Sequence, residues 1–163
     1  MASAVMLITN HYRNPAGHPI YAGVGTMLRS ILAVAAGFVA IFVLSVGTDL
    51  VVHMQLPQAF DAAGHTSDAT VLALTIVYVG VFATAGCYLA ARLAPNRPMR
   101  HALILGLLGL AFSIAGTVAA WDTAPVWYHV VSLVLVVPYA WAGGRLAELR
   151  DARHASPVPN ALA

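Results

Sequence analysis

Charge is what this sequence has least of. Only 9% of its 163 residues are Asp, Glu, Lys or Arg, against about 25% in an ordinary soluble domain. Such a chain cannot cover a water-facing surface. Lysine is absent altogether, so all eight basic residues are arginines. A single cysteine, Cys87, excludes an intramolecular disulfide, a CxxC redox pair and a cysteine-rich zinc site. A net charge of +2 and a pI near 9.0 would suit nucleic acid, but the arginines fall in short groups between apolar runs, so no nucleic-acid partner is expected. What remains is 60% hydrophobic, with a mean hydropathy of +0.80. That is the composition of a membrane domain. The missing lysine, with heavy use of Ala, Gly, Val and Leu, fits a GC-rich bacterial genome.

Four uncharged stretches of 19 to 23 residues organise the chain: 30–48, 69–91, 102–121 and 123–144. A helix crosses a hydrocarbon core of about 30 Å with about 20 residues, at 1.5 Å each. The pattern predicts helices over roughly 29–53, 70–93, 100–121 and 127–147. Lipid offers no partner to backbone N–H and C=O groups, so each span must satisfy its own. A barrel would alternate in segments of about ten residues, whereas Leu103-Ile104-Leu105 and Val134-Leu135-Val136-Val137 do not alternate. The predicted fold is all-α: an integral membrane, four-helix antiparallel transmembrane bundle.

Arginine placement sets the orientation. Arg13 and Arg29 precede the first span, Arg92, Arg97 and Arg100 separate the second from the third, and Arg145, Arg150 and Arg153 follow the fourth. The other two loops carry Asp61, Asp68 and Asp122 and no arginine. Basic residues stay on the cytoplasmic side, which predicts a multi-pass protein of the bacterial cytoplasmic (inner) membrane with both termini inside. Trp121, Trp127 and Tyr128 are then expected as an interfacial aromatic belt on the outer surface. Residues 1–26, rich in turn formers such as Asn14-Pro15-Ala16-Gly17, read as a disordered cytoplasmic tail. Residues 27–150 form the transmembrane domain, and 151–163 a mobile cytoplasmic tail. Met27, directly before Leu28-Arg29-Ser30, resembles a natural start.

Helices in lipid meet through small residues. Gly37, Gly86, Gly109 and Gly116 are the expected packing positions, with the third span the most buried because its small residues are most numerous. Pro138 falls inside the fourth span, where it frees the Val134 carbonyl. Ser113, Thr117 and Tyr139 are read as interhelical hydrogen-bonding groups. Arg92, Arg97 and Arg100 are candidates for anionic lipid headgroups, although topology alone also accounts for them.

Asp49 and His53 are four apart and so share a helix face. They lie on a different side of the first helix from Ala33 and Gly37. At 20 residues beyond Arg29 they sit about 30 Å along, at the outer interface. If the first and fourth helices are neighbours, as in a simple up-down bundle, Asp49, His53 and His129 could converge. These three are the metal-ligand candidates, or a proton-handling set. No spacing motif such as HExxH supports them, and no cofactor is expected.

The runs Tyr88-Leu89-Ala90-Ala91-Arg92-Leu93-Ala94-Pro95-Asn96-Arg97-Pro98 and Pro138-Tyr139-Ala140-Trp141-Ala142-Gly143-Gly144-Arg145-Leu146 resemble those of a group of uncharacterised small bacterial integral membrane proteins with four predicted spans. The resemblance runs from about Met27 to Arg150. It implies topology and transfers no catalytic residue. Three function classes follow. The first is a structural, accessory or assembly component whose partners are the lipid bilayer, itself or another membrane protein. The second is a small transporter or ion- or proton-handling bundle, and the third a lipid-modifying enzyme. The spans lack a nucleophile–base–orienter set and a midplane charge, which favours the first.

Overall fold

The computed structural model describes the backbone over residues 21–155 and the side chains over residues 24–153. Four helices carry the fold: α1 (Tyr21–Gln55), α2 (Ala69–Leu93), α3 (Pro98–Ala119) and α4 (Val126–Ala155). All four are long and apolar enough to cross a membrane, and no strand occurs among the described residues. This is an all-α, multi-pass membrane protein. The helices run alternately up and down. One end of the bundle gathers the Arg92–Arg100 turn and the C-terminal part of α4, and is called the arginine end below. The opposite aspartate end holds the loops with Asp61, Asp68 and Asp122.

Local chemistry places the helix ends. Asp68 caps α2, its carboxylate accepting from the N–H groups of Thr70 (2.8 Å) and Val71 (3.1 Å). Pro98 opens α3, where its missing N–H costs nothing. The preceding Arg97 is left-handed, with φ of 50°, which lets so short a turn reverse the chain. At the aspartate end the Asp61 carboxylate accepts from Ala63 N–H (2.9 Å) and His65 N–H (2.8 Å) around Gly64, which has φ of +84°. The Thr66 N–H donates to the Thr123 carbonyl (3.1 Å), tying the two loops together.

Two helix ends depart from the sequence reading. α1 begins at Tyr21, six residues before Met27, so 21–26 belong to the helix. α4 continues to Ala155, well past the expected end near 147 and through Gly143-Gly144. The expected tails otherwise fall on 1–20 and 156–163, outside the described residues. Gly143 and Gly144 do not stop α4 because they are needed inside it. A Cβ on Gly143 would lie 2.5 Å from the Thr84 carbonyl oxygen, and one on Gly144 would lie 2.6 Å from the Met99 sulfur.

Packing also differs from a simple ring. α1 packs chiefly on α2 and more lightly on α3, and makes no substantial contact with α4; α4 packs on α2 and α3. The most buried span is α2, not α3. The core sits at the arginine end, where Cys87, Ala90, Ala91, Ala102, Leu105, Ala140 and Ala147 form one cluster. Small side chains there let backbones approach closely. Gly37 and Gly86 mark the closest approach of α1 to α2, since a Cβ on Gly37 would lie 2.6 Å from the Gly86 carbonyl oxygen. Gly109 and Gly116 do not pack in this way. The nearest atom to a Cβ on Gly109 would be a Val136 methyl at 4.0 Å, and around Gly116 there is open space. The bundle is tight at the arginine end and splays toward the aspartate end.

Candidate functional site

At the aspartate rim, Asp49, His53 and His129 are not brought together. Their helices α1 and α4 are not neighbours, and each side chain has another partner. The Asp49 carboxylate accepts from the Tyr78 hydroxyl on α2. His53 stacks on Phe60, with ring centroids 3.7 Å apart. His129 is buried, stacks on Trp121 at 5.2 Å, and donates from Nε2 to the Trp121 carbonyl at 3.0 Å. Among the described residues no group of three His, Cys, Asp or Glu side chains could hold a metal. Asp49 and Gly37 both meet α2, although they lie on different sides of α1. The long Tyr78 phenol spans the difference.

Outside the spans, Asp61 is the perturbed acid of this rim. The backbone hydrogen bond from His65 holds its carboxyl below the usual aspartate value, helped by the bond from Ala63 and by His65 charge. The His65 ring lies 3.6 Å from the same carboxylate. Both groups are exposed, so this pair organises the loop and adds little stability.

The splay of the bundle creates its principal interior feature, a cavity of about 300 Å³ among α2, α3 and α4, to which α1 contributes Ile41. Seven polar side chains line it. Thr75 comes from α2, Ser113 and Thr117 from α3, and Tyr128, His129, Ser132 and Tyr139 from α4. Cys87, Leu105 and Gly106 form its floor, against the tight core. From Thr75 to Cys87 the cavity follows α2 for about 18 Å, over half of a hydrocarbon core of about 30 Å. Glycines 109 and 116 make the room: they line the cavity and carry no side chain to fill it.

The lining has hydrogen-bonding capacity and no carboxylate, lysine or arginine. Some of that capacity is already engaged: Thr75 donates to the Val71 carbonyl (3.0 Å), and Tyr139 donates to the Ile76 carbonyl (3.4 Å). With Nε2 of His129 committed to a carbonyl, Nδ1 is the lone-pair nitrogen of the neutral ring. Thr75 and Tyr128 also line a second cavity of about 300 Å³ at the rim, together with Asp49, His53 and Tyr78. The Tyr78 hydroxyl lies 3.3 Å from the Thr75 hydroxyl. The Thr75 and Tyr128 hydroxyls are therefore common to the rim and the interior. Tyr128, expected in the surface belt, faces these cavities, while Trp121 and Trp127 are exposed.

At the arginine end, the three arginines expected at lipid headgroups differ. Arg92 is paired with Asp151, tying α2 to α4. Arg97 forms the left-handed turn residue. Arg100 is exposed on the first turn of α3. Arg145 pairs with Glu148 at 3.1 Å.

Thr75, Tyr78 and Ser132 had no place in the sequence reading. The signal for the cavity was nonetheless present as helical spacing: Tyr128, Ser132 and Tyr139 on α4, and Gly109, Ser113, Gly116 and Thr117 on α3, recur at three, four and seven. Tyr78 carried no signal, because a lone tyrosine in an apolar span is ordinary. No protein-family model, curated protein or solved structure matches the chain.

Proposed function

We propose that this chain is a non-catalytic accessory protein of the bacterial cytoplasmic membrane, with both termini inside, that holds a small uncharged amphipathic molecule in its interior cavity. The observation that carries the reading is the cavity lining: seven polar side chains on an otherwise apolar wall, with no carboxylate, lysine or arginine. Binding sites for small molecules are largely apolar with a few convergent polar groups. A charged ligand would find no counter-charge there, and an ion would lose hydration without replacement. Hydroxyls, which both donate and accept, together with the His129 ring suit a ligand with both donors and acceptors. The arginine-rich end supports the inside orientation, because basic residues are retained in the cytoplasm.

Transport and catalysis have less support. A conducting path would have to cross the arginine end, where Ala90, Ala102 and Ala147 have no exposed surface. Catalysis would need a nucleophile, a base and an orienting group in contact, whereas His129 directs Nε2 to a backbone carbonyl. The test is mass spectrometry of protein extracted in mild detergent. A small neutral molecule should accompany the wild type one-to-one and be lost from a Gly109→Leu or Ser113→Leu variant that fills the cavity. Absence of any such molecule, or equal retention by the filled variants, would contradict the reading.

A further inference from the structure

We propose that the lipid-facing groove between α2 and α4 is a site for one acyl chain of an anionic phospholipid from the leaflet at the arginine end, with Arg150 and Tyr88 receiving its phosphate. This groove shares Tyr139, and no other lining residue, with the interior cavity. It has a volume of about 740 Å³ and is floored by Gly80, Thr84 and Ala85. The Gly80 position stays small because Tyr139 packs against it: a Cβ there would lie 2.5 Å from the Tyr139 ring. The walls are apolar, with Val77 and Val81 on one side and Leu146 on the other.

Its length and its charged end select the occupant. From Val77 to Tyr88 the groove follows α2 for about 16 Å, close to half of a hydrocarbon core of about 30 Å. One leaflet's chain length therefore fits, and the groove ends at headgroup level at the arginine end. There Arg150 Nη1 donates to the Tyr88 hydroxyl oxygen at 3.0 Å. This leaves the phenol O–H free to donate and the guanidinium with four further N–H donors. Arg92 and Arg145 have carboxylate partners in Asp151 and Glu148. Arg150 has none among the described residues, so its charge is available to an anion, and phosphate takes the guanidinium fork well. A zwitterionic lipid would fit the groove equally well but would return less from the cation.

The experiment is native mass spectrometry of the full chain in a neutral maltoside detergent. It is titrated with phosphatidylglycerol or with phosphatidylcholine of identical acyl chains. The first phosphatidylglycerol should bind about five-fold more tightly than phosphatidylcholine, the ratio that about 1 kcal/mol per surface arginine represents. Arg150→Gln should abolish that preference and Tyr88→Phe should reduce it. Arg153→Gln, off the groove, should leave it intact. Ala85→Trp, whose side chain is exposed in the groove, should weaken both lipids, with Val81→Trp as the second variant. Equal binding of the two lipids by the wild type would overturn the proposal. So would a loss in Arg153→Gln matching that in Arg150→Gln, because it would show diffuse charge attraction rather than a site.

Discussion

Replacing Gly86 by alanine tests how α1 is held against the rest of the bundle. A Cβ at this position would overlap the Ile41 side chain, well inside van der Waals contact, and would lie 2.8 Å from the Gly37 carbonyl oxygen. Ile41 could change rotamer, but the Gly37 oxygen is backbone and moves only if α1 moves. Restoring ordinary contact requires a retreat of about half an ångström, enough to weaken every dispersion contact along that seam. Overpacking of this kind costs about 1–3 kcal/mol, a roughly 5- to 150-fold change in the unfolding constant. The control is Gly116→Ala, whose new methyl meets open space and should be neutral or slightly stabilising through helix propensity. Both variants would be unfolded in maltoside micelles by heat or by increasing SDS, with helicity as the readout. If Gly86→Ala unfolds at the same point as Gly116→Ala, the close approach at Gly37 and Gly86 does not hold α1.

Two further predictions address the loops and the orientation. The Asp61 carboxyl is held below its usual value by His65 N–H, so its contribution to the 61–65 turn is fully present above about pH 3.9 and is lost as pH falls through the lower folded value. The amide resonances of Ala63 and His65 should lose their hydrogen-bonded shifts in that acid range, and at every pH in Asp61→Ala; shifts that survive either change would contradict the assignment. A membrane-impermeant thiol reagent should label Ala63→Cys in intact cells and spare Asn96→Cys, in a background with Cys87 replaced by serine. The reverse pattern would invert the proposed orientation.

The number of spans and their approximate limits were legible because lipid imposes a length and an apolar composition that no other fold demands. Gly37 and Gly86 were legible for a related reason: small residues facing each other are how membrane helices touch. The same rule misassigned Gly109 and Gly116, since small residues at helical spacing make either a contact or a cavity and the spacing is identical. Neighbour relations were not legible. α1 and α4 were expected side by side, and that expectation brought Asp49, His53 and His129 together on paper. The structure seats α2 between them, and Asp49 finds Tyr78 instead. Loop lengths do not encode that choice; in the folded bundle it is held by close approaches at Gly37 and Gly86 between α1 and α2 and at Gly143 between α4 and α2. Gly143 and Gly144 show the same ambiguity, because paired glycines end a helix in water and bring two helices together in lipid.

The bundle is closed at the arginine end and splays, with a polar-lined cavity, toward the aspartate end. A cysteine scan along α3 tests that claim most directly. In a Cys87→Ser background, single cysteines at Ala102, Leu105, Gly109, Ser113 and Thr117 would be exposed to N-ethylmaleimide, a small neutral thiol reagent. Reaction requires the reagent and enough water to form the thiolate. Labelling should be fast at 109, 113 and 117, which line the cavity, slow at 102, which is fully buried in the core, and intermediate at 105, which forms the cavity floor. Uniform labelling along α3, or faster labelling at 102 than at 113 and 117, would contradict this arrangement.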